Sequence, residues 1–220
     1  MDTDTIIGKR PRAGLVHDGT PDAAFEVFPD DIFSRLPLAE LFPRVQPVEI
    51  DLGSGPGQFL IGAARRYPDR NFLGVERLLG RVRKTRRQAC RWGLQNARVL
   101  SFEIGYTLQY LLPANSVRRL HLSFPDPWPK RRHHRRRLVD LDFFTAAHAA
   151  LEPGGDLCIK TDHADYFTCM RKLAPDTPFR LADDWDDGYP TTDFEELFIA
   201  EGLPTYRLRL VKPIFYSFKN

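Results

Sequence analysis

The chain has 220 residues, of which 42% are hydrophobic and 28% charged, and this composition excludes a disordered or fibrous protein. Its length suits one folded domain with a short appendage. The net charge is only +3, no apolar run is long enough to span a membrane, and residues 1–12 lack the apolar stretch of a secretory signal, so we expect a cytosolic protein.

The first 45 residues show no regular apolar pattern. Five prolines interrupt them: Pro11, Pro21, Pro29, Pro37 and Pro43. Proline fixes φ and lacks a backbone N–H, so this spacing disfavours long helices and strands. We expect a loosely ordered N-terminal arm over 1–45, with one short helix near 33–42, and a single domain over 46–220.

From Val48 onward the pattern alternates between strands and helices. Apolar stretches closed by glycine or proline predict strands at 48–52, 71–76, 97–103, 117–124 and 156–161. Helices are predicted at 58–67, 79–92 and 137–151, and a further one ends near residue 173. The acidic segment 176–188 predicts a loop, and two more strands are expected at 205–211 and 214–218. This alternation indicates an α/β fold, with a parallel sheet covered by helices on both faces.

A glycine-rich turn follows the strand at 48–52. Gly53, Gly55 and Gly57 let a ligand approach the backbone, and the helix that follows offers free N–H groups. Glu76 closes the next strand, where a carboxylate can bind the hydroxyls of a ribose. The pattern predicts a nucleotide-type cofactor, either a dinucleotide or S-adenosylmethionine; the alternative is a purely structural turn.

Two details favour S-adenosylmethionine. Asp51 directly precedes the glycines, where a carboxylate would repel a pyrophosphate but can pair with the amino group of a methionine moiety. The glycine spacing also differs from the dinucleotide fingerprint. Glu103 ends the third predicted strand, where it could accept a hydrogen bond from adenine; a solvated strand end is the alternative.

Positive charge is concentrated in the middle of the chain. Residues 77–137 contain 16 Lys and Arg residues but only two acids, Glu103 and Asp126. Such a block strains the fold by self-repulsion unless an anion compensates it. Arginine dominates, and its planar guanidinium suits phosphate and base stacking. The block predicts a nucleic-acid partner, with a solvated basic face as the alternative.

The fourth predicted strand runs into an acid enclosed by prolines, Pro125-Asp126-Pro127-Trp128-Pro129, and then into six basic residues within 130–137. Ligands of open α/β sheets bind beyond the carboxyl ends of the strands, so Asp126 should face the cofactor. The prolines order the acid in advance, and Trp128 offers a face on which a base can stack. Separately, Cys90, Cys158 and Cys169 show neither zinc nor disulfide spacing, so we expect reduced thiols and no metal.

These segments resemble the bacterial tRNA (guanine-N7)-methyltransferases. The stretch SFPDPWPKRRHHRRRL is the most specific part of the likeness, VEIDLGSGPGQF and NFLGVER resemble the cofactor segments, and TDFEELFIAEGLPTYRL resembles the closing motif. The resemblance spans about 48–210. It implies a class I methyltransferase fold with a mostly parallel seven-stranded sheet, S-adenosylmethionine as methyl donor, and the guanine at position 46 of the tRNA variable loop as acceptor.

The resemblance also implies roles for particular residues. Asp126 is the residue expected to be catalytic. The cofactor is expected to contact Asp51, Gly53, Gly55, Glu76, Glu103 and Asp126. The target guanosine is expected to contact Lys130, Asp162, Thr192, Asp193, Phe194 and Glu195, although Asp193 stands where some members have lysine. The RNA is expected to contact Arg132, His133, His134, Arg135, Arg136 and Arg137.

Three other functions remain compatible with parts of the sequence. A methyltransferase with another nucleic-acid target shares the acid at the fourth strand end, and the position of the methyl group distinguishes it. A nicotinamide-dependent oxidoreductase is disfavoured by Asp51, and a noncatalytic RNA-binding module is disfavoured by the acids at 51, 76 and 126. We expect a monomer or homodimer with no obligatory protein partner.

Overall fold

A computed structural model describes residues 14–15, 22–29, 31–185 and 188–214. The strands are β1 Gly14–Leu15, β2 Glu26–Phe28, β3 Val48–Leu52, β4 Asn71–Val75, β5 Ala97–Leu100, β6 Val117–Ser123, β7 Leu151–Thr161, β8 Arg180–Ala182 and β9 Tyr206–Val211. The α-helices are α1 Gln58–Arg66, α2 Leu79–Arg91, α3 Ile104–Tyr106, α4 Leu141–Ala150, α5 Ala164–Leu173 and α6 Asp193–Ala200. No helix of the described residues is long and apolar enough to cross a membrane.

The strands form one sheet in the order β1-β2-β5-β4-β3-β6-β7-β9-β8. Neighbours from β2 to β7 run parallel, whereas β9 is antiparallel to both β7 and β8. Strands β3 to β9 make up the predicted seven-stranded sheet, and the α/β class is confirmed. Strands β1 and β2 extend this sheet beyond β5.

Apolar side chains pack on both faces of the sheet. On one face, Phe59 and Leu60 of α1 and Ala89 of α2 pack around Phe72. The other face carries a larger cluster, in which Phe144 of α4 and Met170 of α5 are fully buried. The sheet is therefore covered by helices on both faces, as the alternating pattern predicts.

The described part of 22–45 packs against the domain. Strand β2 pairs with β5, and Leu36 and Leu41 are buried in the larger core. Only three residues of the helix expected near 33–42 are helical, as a 3₁₀ turn at Leu38–Glu40. The boundary at residue 45 stays a prediction, because most of 1–21 lies outside the described residues.

Several predicted boundaries differ from the structure. The helix expected from residue 137 starts at Leu141, because the Asp140 side chain accepts a hydrogen bond from the N–H of Phe143 and caps it there. Residues 131–136 form a 3₁₀ helix instead. Strand β7 starts at Leu151 rather than 156, since Leu151 pairs with Val117. The loop expected over 176–188 contains β8, and residues 215–218 of the last predicted strand lie outside the described part of the chain.

Candidate active site

A cleft of about 410 Å³ lies at the carboxyl ends of β3 to β6. Its lining includes four residues predicted to bind the cofactor, namely Gly53, Glu76, Glu103 and Asp126. This is the sheet edge at which open α/β folds bind ligands. A second hollow, of about 330 Å³, lies at the opposite edge, and its described lining contains none of the predicted site residues.

The glycine loop adopts backbone conformations that favour glycine. Gly53, Gly55 and Gly57 have φ of 81°, 55° and 86°. The N–H groups of Gly53 and Ser54 both donate to the carbonyl of Val75 on β4, which holds the loop against the cleft. Among the described residues, no side chain caps the start of α1 at Gly57, so the first N–H groups of the helix remain available to a ligand.

Asp51 is a buried acid with an unpartnered oxygen. Its side chain is 4% exposed, and Oδ2 has no hydrogen-bond partner among the described residues. Burial, followed by the negative charge of Glu76, raises the pKa of Asp51 to about 7. A buried acceptor of this kind is costly unless a donor reaches it. The cationic amino group of a methionine moiety fits this position, whereas a pyrophosphate does not.

Glu76 and Glu103 lie on the cleft wall but differ in their partners. Glu76 is 6% exposed, and its Oε1 accepts from the N–H of Leu78 at 2.8 Å. Glu103 caps α3, accepting from the N–H groups of Gly105 and Tyr106 at 3.0 and 2.7 Å. The expected contact of Glu103 with adenine therefore stays a prediction, and the acid has a structural role as well.

Asp126 is exposed at the mouth of the cleft. Its Oδ1 accepts from the N–H of Trp128 at 3.1 Å, which closes a tight turn. Phe124 and Trp128 on either side have φ of 53° and 42°, in the left-handed region that aromatic residues rarely adopt. Such strain costs about 1–3 kcal/mol per residue and concentrates at functional sites. The turn thus presents Asp126 in a defined position before a ligand binds.

The basic run beyond Asp126 is mostly exposed. Arg132, Arg135 and Arg136 are exposed, whereas His133 and His134 are half-buried. The Arg136 guanidinium lies 4.9 Å from the centre of the Trp128 ring, so it covers one ring face. These positions remain compatible with the predicted RNA contacts, and base stacking on Trp128 is restricted to the ring surface that Arg136 leaves free.

Arg137 differs from its neighbours. Its side chain is 7% exposed and donates to the carbonyl of Pro127 at 2.8 Å and to Asp165 at 2.7 Å. The guanidinium also lies 4.8 Å from the ring centre of Tyr166. This arginine anchors the turn after Asp126 to α5, and its expected RNA contact stays a prediction that these bonds do not favour.

Glu195 is also held within the protein. The side chain is 2% exposed, and both carboxylate oxygens accept from Lys160 Nζ, at 2.8 and 2.6 Å. Thr192 caps α6 by accepting from the N–H of Glu195. These two residues therefore support the closing motif from inside, and their expected contact with guanosine is a prediction that these bonds do not favour.

The other residues expected to bind guanosine lie near the same edge and are exposed. Lys130 follows β6, Asp162 follows β7, and Asp193 lies in the first turn of α6. The Phe194 ring is 59% exposed and 6.3 Å from the ring of Phe124. Strands β6 and β7 are neighbours and Phe194 lies beside Phe124, so these segments meet near the carboxyl end of β6.

A buried polar network supports the segment before α6. The Tyr189 hydroxyl donates to both oxygens of Glu49 at 2.8 Å, and Glu49 also contacts His121 and Arg70. Burial alone would raise the pKa of Glu49, but hydrogen bonds from His121, Tyr189 and Arg70 lower it to about 2. Burial lowers the pKa of His121. The network ties residue 189 to β3 and β6, next to Asp51.

Sequence reasoning missed several cleft and support residues. Phe102 and Ile104 form an apolar wall beside Glu103, and Arg77 and Arg81 form a basic wall beside Glu76. Their position next to acids at strand ends was the available signal. Lys160 carried no local signal, because its role depends on Glu195, 35 residues away.

Comparison with known proteins agrees with this geometry. Residues 45–208 match a family model described as putative methyltransferase. The fold is similar to a geranyl diphosphate C-methyltransferase of Streptomyces coelicolor solved with S-adenosyl-L-homocysteine (TM-score 0.54, 14% identity, 76% of this chain and 70% of that one). It is also similar to the antibiotic-resistance methyltransferase Kmr (TM-score 0.55, 22% identity, 78% and 88%). The chain is a class I methyltransferase that uses S-adenosylmethionine.

Relatives with higher sequence identity identify the family within this class of methyltransferases. A tRNA (guanine-N(7)-)-methyltransferase of Geobacillus kaustophilus is 32% identical over 194 residues, which cover 85% of this chain and 89% of that protein. The enzyme of the same name from Thermotoga maritima is 30% identical over 187 residues, 83% of this chain but only 59% of that protein. The chain belongs to the tRNA (guanine-N7)-methyltransferase family.

Proposed function

We propose that this protein transfers a methyl group from S-adenosylmethionine to N7 of the guanine at position 46 in the variable loop of tRNA, and that it acts in the cytosol. One observation carries the proposal. Buried Asp51, whose Oδ2 has no partner among the described residues, and the exposed, pre-ordered carboxylate of Asp126 lie at one sheet edge, with Arg77 and Arg81 lining one wall of the cleft and Arg136 the other. The first suits the donor, the second suits an aromatic base, and the walls suit RNA.

The cofactor site follows from the strand ends. Asp51 pairs with the amino group of the methionine moiety, and the backbone of Gly53 and Gly55 leaves room beside it. Glu76 accepts from the ribose hydroxyls, because its carboxylate lies at the end of β4 on the cleft wall. Phe102 and Ile104 provide an apolar surface for the adenine ring.

The chemistry requires alignment more than proton transfer. S-adenosylmethionine supplies a methyl group already activated by its sulfonium. Guanine N7 has an in-plane lone pair and no proton, so the protein does not need to remove one before attack. Asp126 orients the guanine and offsets the positive charge that develops on the ring as N7 is alkylated.

The target base must leave the packed variable loop. Phe194 offers an exposed ring close to Phe124, and a base can stack on it once extruded. Lys130, Asp162 and Asp193 are exposed and can contact the guanosine or its phosphate. The backbone of the tRNA contacts the exposed part of the run, Arg132, Arg135 and Arg136, with His133 and His134 beside them.

A labelled methyl-transfer assay tests the proposal. Tritiated S-adenosylmethionine and an unmodified tRNA transcript with guanine at position 46 should yield label in 7-methylguanosine. A transcript with adenine at position 46 should yield none. Asp126→Asn keeps an acceptor oxygen for the N–H of Trp128 but removes the charge, and should lower kcat on the order of 10²-fold. Asp142→Asn, at an exposed site on α4, is the matched control.

The outcomes separate the parts of the proposal. Label in another nucleoside would keep the cofactor and overturn the target. Label in both transcripts would show that position 46 is not the methylated nucleotide. A kcat of Asp126→Asn equal to that of Asp142→Asn would remove Asp126 from the mechanism.

A further inference from the structure

Helix α2 presents a continuous basic surface to solvent. Arg83, Lys84, Arg87 and Arg91 are all exposed. Arg83, Arg87 and Arg91 follow one another at intervals of four, and Lys84 lies three residues before Arg87, so the four lie on neighbouring turns of one helix side. We call these four residues the α2 basic face. In the sequence, no Asp or Glu occurs between Glu76 and Glu103.

Arg81 and Arg86 of α2 have acidic partners among the described residues, whereas the α2 basic face has none. Arg86 is buried and pairs with Glu26 at 2.6 Å and Asp22 at 3.3 Å. The four residues of the α2 basic face form no ion pair with other described residues in the structure. Like charges at this spacing destabilise a helix by about 0.2–0.5 kcal/mol per pair. Retaining four of them on one side indicates an external anion as their counterion.

The α2 basic face leads directly into the cleft. Arg77, just before α2, and Arg81, in its first turn, line the wall that follows β4, whereas Trp128 and Arg136 line the wall that follows β6. Strand β3 lies between β4 and β6, so these walls stand on opposite sides of the glycine loop. A polyanion with one segment in the cleft can therefore contact basic residues on both sides of it.

The character of α2 favours RNA over a lipid surface. A membrane-bound amphipathic helix inserts its apolar side, but Val82 and Ala89 of α2 are buried against the rest of the protein. Only the basic side is available. Arginine predominates in it, as is common where phosphates are bound.

We propose that the α2 basic face is a second docking surface for the sugar–phosphate backbone of tRNA, on the side of the cleft opposite to the 131–136 run. This inference rests on the proposed function for the identity of the RNA. The enzyme would hold tRNA on both sides of the target base, and so keep the molecule in place while the base is extruded.

The test compares two variants of equal charge change. Arg83→Gln, Lys84→Gln, Arg87→Gln and Arg91→Gln are combined in one protein, since glutamine preserves helix propensity. Arg44→Gln, Arg171→Gln, Lys172→Gln and Arg180→Gln, at exposed positions outside the cleft, are combined in the control. Binding of tRNA is measured from 50 to 300 mM salt, and S-adenosylhomocysteine binding reports the integrity of each fold.

The α2 variant should bind tRNA at least tenfold more weakly at low salt. Its log–log salt slope should fall by roughly 3 units, because each lost phosphate contact removes about 0.7–0.9. The control should keep the wild-type slope. Equal salt slopes in the two variants would overturn the proposed docking surface, because the change in net charge alone would then explain the weaker binding.

A measurement on the unaltered enzyme does not depend on the variant folding. Bound tRNA should protect Lys84, but not Lys172, from chemical acetylation, which mass spectrometry measures. Equal acetylation of Lys84 with and without tRNA would overturn the proposal. Stronger protection of Lys84 by anionic vesicles than by tRNA would also overturn it. If the wild type binds tRNA through α2 but does not methylate it, the proposed function fails while the surface stands.

Discussion

Replacing Asp51 with asparagine should weaken cofactor binding and at the same time stabilise the free protein. Burial and the charge of Glu76 raise the pKa of Asp51 to about 7, against 3.8 for an ordinary aspartate. The carboxylate must therefore be ionised at a cost that asparagine does not incur. In the proposed cofactor site the same charge binds the amino group of the donor, so stability and binding should change in opposite directions.

The sign of the stability effect follows from proton binding. Between pH 4 and 7 the unfolded chain has released the Asp51 proton while the folded protein retains it, so the stability contributed by this group falls as pH rises. The loss is about 1.4 kcal/mol per pH unit, up to about 4 kcal/mol in total. The difference in unfolding free energy between Asp51→Asn and wild type should grow by that amount and level off above pH 7.

Cofactor binding should have the opposite dependence. The ionised fraction of Asp51 rises from about 3% at pH 5.5 to about 50% at pH 7, so the wild-type affinity for S-adenosylhomocysteine should rise about 15-fold. The affinity of Asp51→Asn should stay low and nearly flat. Glu76→Gln removes the charge that helps to raise the pKa, so it should move the midpoint of any remaining binding to lower pH.

Calorimetry of S-adenosylhomocysteine binding and denaturant unfolding, both from pH 5 to 8, measure these quantities. Asp176→Asn, at an exposed position, controls for the loss of one acid and should follow wild type. A constant stability difference between Asp51→Asn and wild type at every pH would refute the raised pKa. Unchanged ligand affinity in Asp51→Asn would refute the contact with the amino group.

Two further predictions concern the support of the site. Lys160→Met leaves Glu195 buried without its main partner and should lower the unfolding free energy by about 3–5 kcal/mol. Adding Glu195→Gln should recover most of that loss. Additive losses in the double variant would show that the two residues do not stabilise each other. Arg137→Gln should lower the unfolding free energy by about 1–3 kcal/mol and leave the salt slope of tRNA binding unchanged. Arg135→Gln should instead lower the salt slope of tRNA binding by roughly 0.7–0.9 and have little effect on the unfolding free energy. A reduced salt slope in Arg137→Gln would show that Arg137 contacts the RNA after all.

Local sequence was sufficient for the elements that local forces determine. The loop over 53–57 could be predicted because glycine alone adopts its positive φ values without strain, and the structure shows them at all three glycines. Strands β3, β4 and β6 coincide with apolar runs that end in turn residues. Their carboxyl ends meet at one edge of the sheet because the strands are parallel. The cleft and most of its acids follow from that rule.

Long-range contacts decided the rest. Arg135 and Arg137 are equivalent in the sequence, but only Arg137 meets Asp165, 28 residues away, and turns inward. The carboxylate of Glu195 belongs to a motif, yet Lys160 determines where it points. Strand β2 joins the sheet by pairing with β5, a strand much further along the chain. Burial and partners arise from packing between distant segments. The sequence therefore determined the fold class and the edge of the sheet that carries the cleft, and the tertiary structure decided which charges are exposed and which hold the protein together.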